Sequence, residues 1–583
     1  MRGAAALRTV AIVSVALLAL GLTAAASSPN VGPGWINQGD AWTAQAQSDF
    51  YSHDQGSRMM PLAWMRALKQ PSGEPFLANN LARYGYLANP ASPAGLPVGF
   101  NAAGPVGQQD IGMTCAACHT RQIEVKGVAY RIDGGPALVD FQSFLADLDA
   151  ALDAVLVDNM AFSNFATAVA GGPVTPDQKA LLRQQVSDWY DRYHTLITHS
   201  LPGSAGWGVG RADAVQMIFN RLAGLDIGPP PSYVIASNMY LADAPVRYPF
   251  LWNVAQEDKT QWMGFAPNGD DTLGLLRNMG EVFGVFADFH PAKSDRHALG
   301  IDYWAVNSAN LSGLKSLEKT IHTIGPPHWP WAYDSSLAGE GKEIFYNRNE
   351  GNCASCHNPA SKSFFGGTRS TPIVPVDTDS RQITLLGRTV SPGVLEGASI
   401  PIFAATPLRD GGKPMPLLTI SVIGSYLQNL LDGFVNDLLP PKEMANLSFE
   451  VEDRLPAFVA RLQALRPDIS SDLANVYKQQ QPGYEARALT GIWAAAPYLH
   501  NGSVASLADL LKPPEQRAPS FLVGPEYDPV AVGLSSVQPR FSSLMVTTDC
   551  TEPGSGNSRC GHTYGTTLSD HQKQALLEYL KAL

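Results

Sequence analysis

Cys115-Ala-Ala-Cys118-His119 and Cys353-Ala-Ser-Cys356-His357 are the two stretches that decide how this chain folds. Cys-x-x-Cys-His is the attachment signature of a c-type haem: each cysteine forms a thioether with a haem vinyl group, and the adjacent histidine reaches the iron. A zinc site or a redox dithiol is the competing use of Cys-x-x-Cys. Zinc needs four ligands close together, and neither pentapeptide has a second Cys or His pair beside it. A histidine directly after the second cysteine, twice in one chain, favours haem. Two covalently bound c-type haems are therefore expected on Cys115, Cys118, Cys353 and Cys356, with His119 and His357 as iron ligands.

The N-terminus agrees with that chemistry. Arg2 and Arg8 precede a short apolar run from Val10 to Leu22, followed by the small-residue site Ala24-Ala25-Ala26. This reads as a signal peptide over residues 1–26, too short in its apolar part to span a bilayer. No other stretch of the sequence reads as a membrane span. The expected location is periplasmic or secreted, where c-type haem attachment takes place. In that compartment Cys550 and Cys560 read as a disulfide, which closes a short Gly/Ser-rich loop and contributes about 2–3 kcal/mol. With 52 acidic against 41 basic residues the net charge is −11. No nucleic-acid partner is expected, and a basic redox partner suits the charge.

The 583 residues imply two or more domains, and the 44 prolines and 53 glycines imply long loops. The clearest boundary is Pro326-Pro327-His328-Trp329-Pro330-Trp331, where prolines interrupt any helix. It divides an N-terminal haem domain, 27–330, from a C-terminal cytochrome c-like haem domain, 331–583. Leu337 to Asn347 forms an amphipathic helix leading into the second motif, and Ser569 caps a last helix bearing Leu576, Tyr579, Leu580 and Leu583. Helices are also expected from Asp140 to Val157 and from Asp177 to Ile197, with strands from Val125 to Ile132 and Leu385 to Val390. The fold class is mainly α: two cytochrome c-like haem domains with long loops and few short strands.

The sixth iron position decides the job. A protein ligand there gives electron transfer, and an open position gives reaction with oxygen or peroxide. His500, in Ala496-Pro497-Tyr498-Leu499-His500-Asn501-Gly502-Ser503, is the candidate ligand in the second domain, set against the reading of a hydrogen-bonded structural histidine. Trp252, Trp262 and Phe265 lie between the motifs, and core packing and the wall of a reactive site both remain open for them. Glu281, in Arg277-Asn278-Met279-Gly280-Glu281, is a candidate acid–base group on a helix, with an ordinary surface glutamate as the other reading.

The two haem motifs, Gly491 to Ser503, and the segment from Ala242 through Trp262 to Asn268 resemble the di-haem cytochrome c peroxidase superfamily. They are most similar to its haem-dependent oxygenase branch, which includes the secreted rubber oxygenases and the periplasmic di-haem fatty-acid dioxygenases. The resemblance covers most of the mature chain. It implies that His357 and His500 both ligate the second haem, and that the first haem, held by His119, keeps the reactive face. It implies a tryptophan between the haems, a part Trp262 fits, and aromatic residues around the reactive one, such as Phe265. Rubber oxygenases have a largely apolar distal face, so an acid such as Glu281 points instead to peroxide chemistry. The expected function is a dioxygenase that uses O2 at the N-terminal haem to oxidise a small, unsaturated, apolar substrate, a fatty acid or polyisoprenoid. The alternative is a peroxidase that reduces H2O2 with electrons from a small redox carrier protein. A non-catalytic electron carrier ranks third. Calcium stays open as a further cofactor.

Overall fold

The computed structural model describes residues 34–203, 206–297, 299–358, 368–400, 406–438 and 482–583, with the backbone alone over 431–438. The signal peptide expected at 1–26 lies outside these residues. The described chain is mainly helical, with short strands in sheets of two or three.

Helices form where the sequence caps them. α1 (Phe141–Val157) starts at Asp140, whose carboxylate accepts from Ser143 N at 3.0 Å, and buries Phe144, Leu145, Leu148 and Leu152 on one face. α2 (Pro176–Ser200) opens with a Thr175/Gln178 capping box and a proline in its first turn. α3 (Asp271–Gly284) is capped by Asp270, and α4 (Leu311–Ile321) by Asn310. α5 (Ser335–Tyr346) leads into the second motif, α6 (Pro414–Leu438) follows it, and α7 (Asp570–Ala582) ends the chain behind a Ser569/Gln572 capping box.

α5 and α7 cross at close range. A Cβ on Gly341 would lie 2.0 Å from the carbonyl oxygen of Ala575, so only glycine admits the crossing. Phe345 is fully buried there, its ring 5.3 Å from that of Tyr579. This pair frames the second motif, in keeping with a cytochrome c-like layout.

One strand expectation is met in part and the other is corrected. The segment from Val125 to Ile132 holds the end of β1 (Thr120–Val125) and most of β2 (Val128–Asp133), paired as a hairpin. Lys126 and Gly127 both take positive φ, the two-residue turn that reverses the chain and divides what alternation reads as one strand. Leu385 to Val390 is not a strand: Arg388 N bonds Leu385 O at 3.1 Å to close a tight turn, because Leu385 is anchored in an apolar cluster with Trp262 and Tyr484. Val390 alone makes an isolated bridge, to Gly412.

The apolar core is continuous across residue 330. One cluster joins Phe50, Ile123 and Trp252 to Phe345, Trp493 and Leu576. Another packs Leu276, Met279 and Phe283 of α3 against Leu417, Ile420 and Val422 of α6. The proline-rich stretch is itself stapled: Trp329, Trp331, Trp493 and Tyr527 form an aromatic group, and Trp493 Nε1 donates to Pro327 O at 2.8 Å. Cys550 and Cys560 form the expected disulfide. Among the described residues no helix is long and apolar enough to cross a membrane.

Candidate functional site

Each Cys-x-x-Cys-His pentapeptide folds as a tight turn that presents its histidine. In the first, Thr114 Oγ1 accepts from Ala116 N, and the His119 amide bonds Cys115 O at 3.0 Å. Gly99 passes so close that a Cβ would sit 2.0 Å from Ala117 N. In the second, Ala354–His357 makes a single helical turn, with the His357 amide on Cys353 O at 2.9 Å. Arg369 clamps that turn. Its guanidinium donates to Cys356 O and Asn358 O and forms a buried ion pair with Glu257 at 2.8 Å.

Both motif histidines are fixed in the same tautomer. His119 Nδ1 lies 2.8 Å from Pro249 O, and His357 Nδ1 lies 2.7 Å from Arg487 O. A carbonyl only accepts, so Nδ1 carries the proton and Nε2 keeps its lone pair for a metal. Burial keeps both rings neutral, with His119 pushed down to about 4 and His357 lowered in the same direction.

A cavity of about 170 Å³ opens beside the second motif. Cys353, Cys356 and His357 line it, together with His500, His562, Trp262, Tyr484 and Phe345. The ring of His562 lies 6.4 Å from that of His357. Two imidazoles on opposite sides of one metal, each about 2 Å from it, have centroids about 6.3 Å apart. His562 Nδ1 is buried without a hydrogen-bond partner, and burial, with His357 beside it, pushes this ring down to about 4. Two free cysteines, a histidine with Nε2 available and a second imidazole in the wall of one cavity fit a c-type haem.

His562 is held from three directions. The Cys550–Cys560 disulfide anchors the loop before it, its amide bonds Val376 O at 2.8 Å, and Arg517 donates to the carbonyls of Arg559, Gly561 and His562. Sequence reasoning passed over this residue. The signal was a histidine two positions past a disulfide cysteine, in Cys560-Gly561-His562. His500, the expected ligand, reaches the same cavity, but its ring stacks on Tyr484 at 3.6 Å and meets Trp262 edge-on at 6.4 Å. Burial, then Arg247, push it down to about 3.

A second cavity, of about 100 Å³, is lined by Gln261 and Phe265, close in sequence to Trp262. Phe219, Phe265, Leu276, Leu418 and Val422 make its walls apolar, and Gln261, Arg277 and Glu281 are its polar groups. Burial raises the Cys115 thiol of the first motif, and the carboxylate of Glu281, which lines this cavity, adds to the rise together with Glu318. Glu281 keeps 36% of its side chain accessible, accepts from Gln261 Nε2, and is raised by burial against the opposing pull of Arg277. Arg277 is engaged by Glu318 at 2.7 Å and by Asn268 and Asn278. Burial raises Glu318, but Arg277 and His322 outweigh it and hold the carboxyl at about 2.

Trp262 stands between the two cavities, lining the larger one while its neighbour Gln261 lines the smaller. Its indole donates to Arg247 O at 2.9 Å, and the Arg247 guanidinium covers its ring at 4.7 Å. Trp252 is a core aromatic, stacked on Phe250 and bonded to Thr490 O. The structure thus brings Phe265 and Glu281 together, and brings Trp262 together with His357 and His500. Among the described residues no group of three His, Cys, Asp or Glu side chains has the arrangement of a cation site.

Residues 483–522 match the family described as RoxA-like, cytochrome c-like. The uncharacterized protein y4iJ of Sinorhizobium fredii is 28% identical over 94% of this chain and 93% of its own length. The uncharacterized protein y4iM of the same organism is 25% identical over 57% of this chain and 63% of its own length. The matched segment carries Glu485, Arg487, Tyr498 and His500, all in the wall of the larger cavity, so the likeness falls on the haem cradle and points to a haem-based oxidoreductase.

Proposed function

We propose that the chain is an exported di-haem c-type oxidoreductase that uses O2 to oxidise an unsaturated, apolar substrate. In this reading residues 27–330 carry the reactive haem on Cys115, Cys118 and His119. Residues 331–583 would hold the electron-handling haem through Cys353, Cys356 and His357, with His562 as the further histidine that would bind its iron and His500 as a wall residue. When bound, the haems supply iron centres that exchange single electrons and, at the one with an open axial position, activate a small oxidant.

The observation that carries this reading is the apolar cavity of about 100 Å³ whose edge carboxylate, Glu281, acts on the Cys115 thiol of the first motif. Phe265, Leu276, Leu418 and Val422 exclude water and hold a hydrocarbon chain by burial, worth about 25 cal/mol per Å² of apolar surface. Gln261 orients the Glu281 carboxylate at the cavity edge. The charge there favours a neutral substrate over a fatty-acid anion. The one guanidinium is already engaged by Glu318, Asn268 and Asn278, and an incoming carboxylate would face Glu281 and Glu318. Trp262 offers an aromatic ring between the two cavities.

Glu281 favours a second reading, reduction of H2O2 with electrons from a carrier protein, because a cavity-lining carboxyl raised by burial can move a proton between peroxide oxygens. Oxygen uptake decides between the two. Consumption of O2 with a polyisoprenoid exceeding that with oleate, and no turnover of peroxide with a reduced carrier, is the expected result. Peroxide turnover without hydrocarbon oxidation would overturn the first reading.

A further inference from the structure

Glu485 is a buried carboxylate in the larger cavity that the function above does not use. Its side chain is 1% accessible, no side chain hydrogen-bonds either oxygen, and the Trp262 backbone amide is the one group that acts on it as a donor. Arg487 Nε lies 3.7 Å away, and it and Arg247 Nη1 are buried without a hydrogen-bond partner. Arg247 lies over Trp262, and Arg487 lies over Phe250 at 4.3 Å. Charged groups left this way in a dry wall are costly unless something completes them. The two propionate carboxylates of a haem are the chemistry that would engage guanidinium edges turned to this cavity. Glu485 would then be a third carboxylate in the same enclosure.

We propose that Glu485 is the proton-accepting partner of the second haem, binding a proton when that iron gains an electron. The proposal rests on the reading that this cavity holds a haem. The electron comes from a one-electron reductant, a reduced carrier protein or dithionite, and lowers the iron's charge by one. The proton comes from hydronium in the solvent, whose O–H bond breaks to leave water as an O–H bond forms on a Glu485 carboxylate oxygen. The cavity keeps its net charge, which in a low-dielectric enclosure is the favourable course.

The surroundings single out Glu485. Burial raises its carboxyl to about 7, with Arg487 pulling down, Glu257 pushing up and Arg247 pulling down. Glu257 is itself paired with Arg369. The rings of His357, His500 and His562 are all lowered by burial, and the phenols of Tyr484 and Tyr498 are raised by it.

The test is the midpoint potential of the second haem in the haem-loaded full chain, measured by spectroelectrochemistry from about pH 6 to pH 8. In the wild-type protein the potential falls as pH rises through this window. In Glu485→Gln, which keeps the shape and removes the charge, it is flat. Reduced-minus-oxidised infrared spectra of the wild-type protein alone gain a protonated carboxyl band. A flat wild-type potential, a slope that survives in Glu485→Gln, or a wild-type spectrum without that band would overturn the proposal. A purified protein whose absorption accounts for one haem would overturn the di-haem reading and this proposal together. Two haems with a flat potential would overturn this proposal alone.

Discussion

Around Cys353 the cavity wall is rich in nitrogen: His357, His562 and His500 reach it, and Arg247 and Arg487 flank it. The cavity that reaches towards Cys115 is walled by leucine, valine and phenylalanine, with one carboxylate at its edge. The two motifs are alike in sequence, and both histidines are fixed by a carbonyl in the same tautomer. The difference therefore lies in what the rest of the fold brings to the opposite side. The ring of His562 lies 6.4 Å from that of His357, whereas His119 meets Tyr248 edge-on at 6.2 Å, next to the Pro249 carbonyl that fixes its tautomer. In the proposed reading attachment chemistry is local, and the job of each iron would be set by residues far away in the chain.

The strongest break of this asymmetry removes one attachment site at a time. Cys115→Ala with Cys118→Ala is expected to abolish carbon monoxide binding and all turnover. Cys353→Ala with Cys356→Ala keeps the carbon monoxide response while multiple turnover stops. Haem content per chain and the carbon monoxide difference spectrum check both.

A smaller change tests the facing ligand. His562→Ala is expected to open the second iron, so that both haems bind carbon monoxide after reduction, while His500→Ala leaves that iron closed. If His500→Ala opens it and His562→Ala does not, the ligand first expected from sequence is the right one. In the smaller cavity, Glu281→Gln sharpens the choice of reaction. A proton-transfer role is worth about 10²–10⁴-fold, so peroxide turnover falls by that factor under the second reading. Hydrocarbon oxygenation under the first changes by less than about tenfold.

Stability changes are milder and probe the frame. Phe345→Ala, at the crossing of α5 and α7, is expected to cost about 3–5 kcal/mol by urea unfolding. Glu318, near the smaller cavity, gives a pH signature. Its carboxyl is held at about 2 against an ordinary value of 4.5. A folded value below the unfolded one adds stability above the ordinary value and loses it as pH falls towards 2. The wild-type advantage over Glu318→Gln, of order 1–3 kcal/mol at neutral pH, is expected to shrink on acidification when melting is followed from neutral to acid pH.

Much of this was legible in the sequence, and the limits have a physical cause. The motifs, the capped helices α1, α2, α5 and α7, and the Cys550–Cys560 pair are encoded within a few residues of one another, so spacing and cap chemistry sufficed. Trp262, Phe265 and Glu281 were legible as candidates, and the fold sets Trp262 in the wall between the cavities and the other two in the smaller cavity. His562 was not, because its approach to His357 spans two hundred residues of chain and depends on Arg517 and the disulfide loop. Glu485 was silent for the same reason: a carboxylate becomes chemically unusual only when folding strips it of water and of side-chain hydrogen bonds. The hairpin at Lys126-Gly127 escaped because alternation reads straight through a two-residue turn.

The asymmetry between the two irons is tested most directly by titrating the dithionite-reduced, haem-loaded protein with carbon monoxide and counting molecules bound per haem. The predicted result is one carbon monoxide for every two haems, with the second haem's spectrum unchanged. Binding at both irons or at neither would contradict it.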